Sequence, residues 1–492
     1  MVLGNTRERK GERMKKVVLF LTIAVAGFLL APAAWAENEE DIEALKQQLL
    51  QMQQQMQQQE MKIQQQDRKI MDLEAKEAPE AYVNMEEIVA RVQEKVAPQD
   101  GFTIGKGKIK LTPYGFIRLD AAYDDSAVFM FSGNVVGWAW PEDGRSMAPV
   151  YPATFVHRDD DDQFSMTATA TRLGLNFDGP EFAGGTIKGK IEIDFDELSG
   201  NGGDVVAHRI RMRHAYAELL YPTWSFLAGQ TWDVVAPRIP PMLDCVVLWG
   251  SGNVGYRRPQ LRLTKWWDVD GTKFTGQASL NHTDRSMTND DFDGDLLLNG
   301  VESGYPMGEA RIGMDTIILG ERKLSLGLSG LLAREQTEAR GDITQSENLD
   351  VWMVALDGSI TIIPNLLSLQ GEIWTGENID NVYGGIVQGF VNVGAAPAIN
   401  LKEIQATGGF IHAALTPRPD LQFNFGYGLD DADSEDMMLG NISQNWTVFA
   451  NTIWTVVPNF DVGLELAWHE TKWVDQADGD DFRVQTAFIY KF

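Results

Sequence analysis

The chain has 492 residues, 44% of them hydrophobic, and its 70 Asp and Glu residues outnumber 42 Lys and Arg, which gives a formal net charge of −28. So acidic a chain is a poor partner for nucleic acid, and its one cysteine excludes an intramolecular disulfide framework. No stretch in the sequence is long and apolar enough for a membrane-spanning helix, so a membrane-embedded fold has to be built from strands.

The first 36 residues have the features of a secretory signal peptide. Two lysines precede an apolar run of 14 residues at 17–30, and residues 34–36 (AWA) form a small-x-small cleavage site. The run is too short for a transmembrane anchor, which requires about 20 residues. We therefore expect an exported protein that begins at Glu37. Because residues 1–36 carry six basic and two acidic side chains, their removal takes the net charge from −28 to −32.

Residues 37–78 are predicted to form a periplasmic coiled coil. The segment is rich in glutamine, but its apolar residues repeat every seven positions, which a disordered linker does not predict. Residues 79–107 contain prolines, a short amphipathic stretch and several glycines, so we expect a linker with a short helix there. The heptad columns are Ile42, Leu49, Met56, Ile63 and Ile70, and Leu45, Met52, Gln59, Gln66 and Leu73.

From residue 108 onward the sequence alternates between apolar and polar residues. In residues 171–178 (TRLGLNFD), Leu173 and Leu175 share one face, and Arg172 and Gly174 share the other. A soluble β-sandwich alternates in the same way, but Trp and Tyr also cluster near the short turns or the chain end, as in the interfacial girdle of a membrane barrel. These aromatic residues are Tyr221, Trp224, Trp266, Trp267, Trp454 and Tyr490.

The links between alternating segments are short at one end and long at the other, which is typical of outer-membrane barrels. Residues 482–492 (FRVQTAFIYKF) form a period-2 strand ending on Phe492, similar to the C-terminal signature that outer-membrane assembly machinery reads. We predict an all-β transmembrane barrel of about 16 antiparallel strands at 108–492, preceded by the α-helical coiled coil, with both ends periplasmic. The strands should begin near residues 109, 166, 184, 208, 223, 258, 271, 307, 322, 349, 366, 402, 421, 443, 460 and 481.

The link after the fifth predicted strand differs from the others. Residues 233–256 carry prolines and apolar side chains in place of the hydrophilic mixture of a surface loop, so we expect them to be buried. In a wide barrel, burial means folding into the lumen. The sequence therefore predicts an inward constriction loop at about 233–256.

Three motifs in this region resemble the DcaP-like porins: GQTW at residues 229–232, RRPQLRLT at 257–264 and YGFIRLDAAYDDS at 114–126. The order of coiled coil, linker, barrel and terminal Phe is similar as well. The resemblance implies a trimeric, sixteen-stranded outer-membrane diffusion channel with a periplasmic coiled coil. It also implies a preference for anionic solutes such as dicarboxylates.

Arginines recur at lumen-facing positions of the predicted strands. Because rings of Arg favour anions in pores, they are candidate pore-lining residues. An alternative is that Asp120, Glu192, Asp194, Asp233 and Asp244 neutralise them and that the pairs hold the loop in place. Arg257 has the opposite phase to Arg258 and is a candidate for an interface. The candidate constriction residues are Arg118, Arg172, Arg209, Arg211, Arg213, Asp233, Asp244, Arg258 and Arg262.

Acidic residues concentrate in four predicted extracellular loops, at 159–162, 290–295, 430–436 and 475–481. Such loops form a negative rim, and they are candidates for weak binding of divalent cations that bridge to lipopolysaccharide. Residues 289–295 (NDDFDGD) imitate the start of a calcium loop, but Gly300 stands where the twelfth position needs Glu, so we predict no dedicated metal site and no cofactor.

No catalytic motif stands out, since the histidines lack metal-ligand spacing and no nucleophile elbow or phosphate loop is present. We therefore expect no enzyme but a homotrimeric porin in the outer membrane of a Gram-negative bacterium, in contact with its lipid and lipopolysaccharide. It would pass small hydrophilic, anionic solutes such as carboxylates. The alternative is a structural protein that tethers or spaces the envelope through the coiled coil, with a periplasmic or cell-wall partner.

Overall fold

The computed structural model describes residues 101–104, 109–132, 135–142, 162–197, 209–284, 298–337, 347–393, 400–433, 435, 437–438 and 440–492. The predicted signal peptide, the coiled coil and most of the linker lie outside the described residues. So do the calcium-like segment at 289–295 and most of the acidic stretch at 159–162.

The described residues form 22 strands and one short helix. The strands are β1 Phe102–Ile104, β2 Ile109–Asp124, β3 Val128–Ser132, β4 Val135–Ala139, β5 Gln163–Thr167, β6 Arg172–Phe182, β7 Gly185–Glu197, β8 Arg209–Leu220, β9 Trp224–Trp232, β10 Arg257–Val269 and β11 Thr272–Asn281. They continue as β12 Met307–Ile318, β13 Arg322–Thr337, β14 Glu347–Ile363, β15 Leu367–Glu377, β16 Phe390–Asn392, β17 Leu401–Glu403, β18 Gln405–Arg418, β19 Leu421–Ala432, β20 Ile442–Val457, β21 Phe460–Trp473 and β22 Gly479–Lys491. The helix α1 spans Asn299–Glu302, and 3-10 turns span Asp380–Val382 and Gly385–Val387.

The strands close into one antiparallel barrel with sixteen positions in the ring. β2 pairs with β22 along one edge, from Phe116 opposite Lys491 to Asp124 opposite Arg483. Along its other edge β2 pairs with both β5 and β6, which together occupy one position. The prediction of about 16 antiparallel strands is confirmed. The remaining positions are β7 to β15 and β18 to β21.

Most predicted strand starts agree with the structure to within three residues. The second predicted strand, expected to begin near residue 166, is the exception, because it is divided into β5 and β6 by an interruption between Thr167 and Arg172. The hydroxyl of Thr171 in this break donates to the carbonyl of Arg118 at 3.3 Å. The backbone N–H of Phe195 donates to the carbonyl of Thr169 at 3.1 Å. These contacts replace regular pairing at the interruption, and alternation alone does not reveal them.

Period-2 alternation of burial separates a lipid face from a lumen face along most of the barrel, as on β2, β13 and β19. On β2, Ile117 and Leu119 are 58% and 40% exposed, whereas Arg118 and Asp120 are 8% and 1% exposed. No helix in the described part of the chain is long and apolar enough to cross a membrane. The ring closes at the C-terminus, where Phe492 and Gly115 exchange two backbone hydrogen bonds of 3.0 Å.

Two of the predicted acidic loops are partly strand. Asp430 and Asp431 belong to β19, and Asp480 and Asp481 belong to β22. Asp430 and Asp481 are fully buried. The prediction that these acidic stretches lie wholly in loops is wrong for 430–436 and 475–481, because β19 and β22 extend further than the apolar alternation indicates.

Candidate functional site

The segment at residues 233–256 connects β9 to β10 and lies against side chains on the inner wall of the barrel. Buried carboxylates of three other strands accept hydrogen bonds from its backbone. Glu309 of β12 accepts from the N–H of Val234 at 2.8 Å, and Glu372 of β15 accepts from Val254 at 3.1 Å. We call this segment the inward loop.

The middle of the inward loop is held by β21. The two carboxylate oxygens of Glu465 accept from the N–H groups of Leu243 at 2.7 Å and Asp244 at 2.9 Å. Asn451 of β20 donates to Glu465 at 2.8 Å and to the carbonyl of Pro241 at 2.8 Å. Since a buried backbone group without a partner is costly, these side chains fix where the loop crosses the lumen.

Local backbone conformation also shapes the loop. Val247 and Leu248 have φ of 48° and 66°, which non-glycine residues rarely adopt. At Gly252, with φ of 109°, an added Cβ would lie 2.1 Å from the carbonyl oxygen of Gly409. The indole of Trp374 donates to the Gly252 carbonyl at 2.7 Å. The loop tip is therefore pressed against β15 and β18.

Two further segments fold inward beside the loop. Residues 378–393 stack Tyr383 on Trp249, with ring centroids 4.5 Å apart, and the N–H of Gly255 donates to the carbonyl of Val382 at 2.8 Å. In the β3–β4 hairpin, the N–H of Ala139 donates to the hydroxyl of Thr471 at 3.0 Å. Together with the inward loop they bury the polar inner faces of β18 to β22. Partly exposed basic side chains remain on the inner faces of β6, β7, β8 and β10, at Arg172, Lys190, Arg211 and Arg262.

Arg118 and Asp244 hold the inward loop near β2 and β22. Arg118 forms two hydrogen bonds to Asp120, of 2.8 and 2.6 Å, and donates to the carbonyl of Leu243. Asp244 lies 3.6 Å from Arg483, a partner that the sequence analysis missed. Burial raises the pKa of the Asp244 carboxyl to about 7, against the opposing influence of Arg483. Arg118 and Asp244, both predicted to line the constriction, therefore anchor the inward loop.

The wall formed by β6 to β8 carries a basic cluster, which we define as Arg172, Lys190, Arg211 and Arg213. Arg211 pairs with Asp194 at 2.8 and 2.9 Å, and Arg213 pairs with Glu192 at 2.7 Å and Asp194 at 2.8 Å. Arg172 lies 3.5 Å from Glu192. Four cations thus surround two carboxylates in this part of the wall.

Exposure differs within the cluster. The side chains of Arg172 and Arg211 are 30% and 20% exposed, whereas that of Arg213 is 8% exposed. Lys190 lies over the ring of Tyr114 at 5.2 Å. Arg209, also predicted to line the pore, is exposed at the start of β8. Arg172, Lys190 and Arg211 are therefore the members of the cluster that a solute can reach.

Arg258 and Arg262 lie on one face of β10 but have different surroundings. Arg258 is 2% exposed, donates to Asp233 at 2.9 Å, and also donates to the carbonyls of Thr283 and Asn381 at 2.6 Å. Arg262 is partly exposed and donates to Gln260 at 2.8 Å and to the carbonyl of Trp232. Within the described residues Arg262 forms no ion pair. Arg258 is thus an anchor, whereas Arg262 is partly exposed and has no direct ion-pair partner among the described residues.

Arg257 does not face an interface in this chain. Its guanidinium lies over the rings of Trp232 at 4.5 Å, Tyr256 at 4.8 Å and Trp249 at 5.9 Å, and the residue is 4% exposed. The expectation that Arg257 faces an interface, which rested on its alternation with Arg258, is wrong. The inward loop packs its aromatic side chains over this end of β10. Cation–π contacts favour such a position.

Sequence analysis also missed a second anchor on β14. Asp357 accepts two hydrogen bonds of 2.9 Å from Arg311 and one of 3.0 Å from Arg238 of the inward loop. Arg238 also donates to Ser325 at 2.6 Å. The only sequence signal for these contacts is that the alternation of their strands places Asp357 and Arg311 on the lumen face.

The closed ring, apolar outer wall and polar interior crossed by an inward loop define an outer-membrane β-barrel. The structure is similar to the outer membrane channel DcaP of Acinetobacter baumannii, with a TM-score of 0.60 and 20% identity over 80% of this chain and 99% of that one. An anion-selective porin from Comamonas acidovorans also matches, with a TM-score of 0.48 and 13% identity over 78% and 100% of the two chains. The resemblance indicated by the three motifs is thus confirmed at the level of the fold. No protein-family model and no curated protein matches the chain.

Proposed function

We propose that this chain is a porin for small hydrophilic anions, carboxylates among them. The observation that carries the proposal is the basic cluster beside the part of the lumen that the inward segments leave accessible. Its four cations exceed its two carboxylates, and Arg262 of β10 adds a charge that has no ion-pair partner among the described residues. Guanidinium groups bind carboxylates through paired hydrogen bonds, and a net positive wall favours anions in a pore.

The arginines have two possible roles, attracting anions and holding the inward loop in place, and different arginines fit each role. Arg118 and Arg258 are buried, paired and bound to backbone carbonyls, which fits a role in holding segments in place. Arg172 is partly exposed and lies 3.5 Å from Glu192, and Arg262 is partly exposed with no ion pair in the part of the chain that the structure describes, which fits a role in attracting solutes. Arg172 and Arg262 would therefore set the ion selectivity of the pore.

Selectivity is tested in planar bilayers under a KCl gradient. We expect an anion-biased reversal potential for the wild type and a shift toward zero for Arg172→Ala with Arg262→Ala. Arg334→Ala is the matched control, because this arginine is exposed and pairs with Asp350 at 3.2 Å away from the lumen face. A cation bias in the wild type, or an unchanged potential in the double variant, contradicts the proposal.

Cys245 offers a second test, since it is partly exposed on the inward loop. Its thiol donates to the carbonyl of Leu243 at 4.0 Å, and Arg118 donates to the same carbonyl. If anions pass beside it, a negatively charged methanethiosulfonate reagent should modify Cys245 faster than a positively charged one of similar size. The difference between the two modification rates should be smaller in the Arg172→Ala variant. Modification is measured by mass spectrometry of the intact protein, and a faster reaction with the cationic reagent speaks against an anion path.

The proposed assembly is a homotrimer with the coiled coil of residues 37–78 in the periplasm. The heptad repeat supports it, and closure of the bilayer current in three equal steps would demonstrate it. The same repeat supports the second candidate function, an envelope tether. Bilayers that stay silent although the barrel is folded would favour the tether.

A further inference from the structure

The outer wall of the barrel carries a groove that the proposed channel does not use. Two adjoining depressions of about 580 and 400 Å³ cross the outward faces of β13, β14, β15, β18 and β19 and share Ile373 and Ile411. These two side chains are 59% and 57% exposed. Leu326, Leu356 and Tyr427 also line the walls.

Three glycines form the floor of the groove. Gly371 of β15 is opposite Gly358 of β14, and Gly409 of β18 is opposite the outward-facing Ile373. A Cβ on Gly371 would lie 2.3 Å from the carbonyl oxygen of Phe410. The absence of side chains at these three positions leaves room for a ligand along the sheet surface.

The groove has the length and position of an outer-leaflet acyl chain. From Gln405 to Ile411 it follows six residue steps of β18, which is about 20 Å at the rise of a strand. It begins at the barrel end where the links are long, which is the extracellular end in this class of protein. A leaflet of the hydrocarbon core is about 15 Å thick. The groove therefore reaches through the outer leaflet.

The extracellular end of the groove is polar and acidic. Asp431 and Asp433 line it and are exposed. The hydroxyls of Thr375 and Thr407 lie 3.0 Å apart beside them. Carboxylates of this kind bind Mg²⁺ or Ca²⁺ together with phosphate groups.

We propose that this groove binds an acyl chain of lipopolysaccharide, while a divalent cation joins a phosphate of the head group to Asp431 and Asp433. Apolar walls and a side-chain-free floor accept the chain, and the acidic end accepts the cation. The site is separate from the lumen, so the proposal goes beyond solute passage.

Binding is measured by native mass spectrometry of the delipidated full-length protein with purified lipopolysaccharide and Mg²⁺. Ile373→Trp with Ile411→Trp narrows the groove and should weaken binding about tenfold or more. Leu263→Trp with Ile312→Trp is the matched control, because these residues are 52% and 50% exposed on β10 and β12 and should leave binding unchanged.

The acidic end is tested separately. Asp431→Asn with Asp433→Asn, or removal of Mg²⁺ by EDTA, should lower binding, whereas Asp475→Asn with Asp478→Asn, exposed acids elsewhere on the rim, should not.

Equal binding by the groove variant and its control overturns the proposal. Binding that is independent of Mg²⁺ overturns the cation bridge, and dissociation of the oligomer in the tryptophan variant with lipid binding intact assigns the groove to contact between copies. Conductance recorded in parallel separates this inference from the proposed channel, since neither groove variant alters a lumen residue.

Discussion

Replacing Arg258 by alanine should destabilise the folded protein by about 3 to 5 kcal/mol, because the change leaves a buried carboxylate without its counter-ion. Asp233 is 5% exposed, and Arg258 is its ion-pair partner at 2.9 Å. The carbonyls of Thr283 and Asn381 would lose a donor as well. Loss of tryptophan fluorescence on heating in detergent measures the effect as a lower midpoint.

Arg262→Ala is the control for this prediction, since Arg262 shares the face and strand of Arg258 but has no ion pair in the described structure. We expect its midpoint to stay close to that of the wild type while its ion selectivity changes. Combining Arg258→Ala with Asp233→Asn should recover part of the lost stability, because the buried charge is then removed. If the Arg258→Ala and Arg262→Ala variants have the same thermal unfolding midpoint, the division between anchoring and selective arginines is wrong.

Glu465→Ala should release the middle of the inward loop. The substitution leaves the buried N–H groups of Leu243 and Asp244 without their acceptor, at a cost of about 1 to 3 kcal/mol for each. A loss of about 2 kcal/mol makes local opening about 30 times more frequent. Hydrogen exchange at these two amides should accelerate accordingly, and single-channel currents should become noisier.

Glu465→Gln should have a smaller effect, since its amide retains one oxygen acceptor. Asp315→Ala removes an exposed carboxylate on β12 that, within the described part of the chain, makes no hydrogen bond or ion pair with the inward loop, and it should leave exchange unchanged. Unaltered exchange at Leu243 and Asp244 in Glu465→Ala would show that other contacts hold the loop.

Much of the barrel follows from local sequence. Alternation on β2, as in Ile117, Arg118, Leu119 and Asp120, fixes which side chains meet lipid and which meet the lumen. Tight turns mark one rim, so strand number and most strand starts are readable within a few residues. The interruption before Arg172 was not readable, because it depends on contacts of Thr169 and Thr171 with neighbouring strands.

The candidate site was predictable as a set of residue types and phases but not as a set of partners. Asp233 was one of five carboxylates considered as partners for the arginines, and it pairs with Arg258. Glu309, Glu372 and Glu465 were not singled out, although each is a carboxylate at a lumen position. Their partners are backbone N–H groups of the inward loop, which carry no sequence signal.

The sequence by itself determined the periodicity of the strands, the asymmetry of the links and the apolar character of residues 233–256, because these are local properties of neighbouring residues. Only the tertiary structure decided which arginines are buried anchors and which remain accessible. Arg258 and Arg262 have the same residue type, strand and face, yet of the two only Arg258 hydrogen-bonds to Asp233 and to the carbonyl of Asn381. The inward segments, which arrive from distant parts of the chain, set burial and charge compensation at each position of the wall.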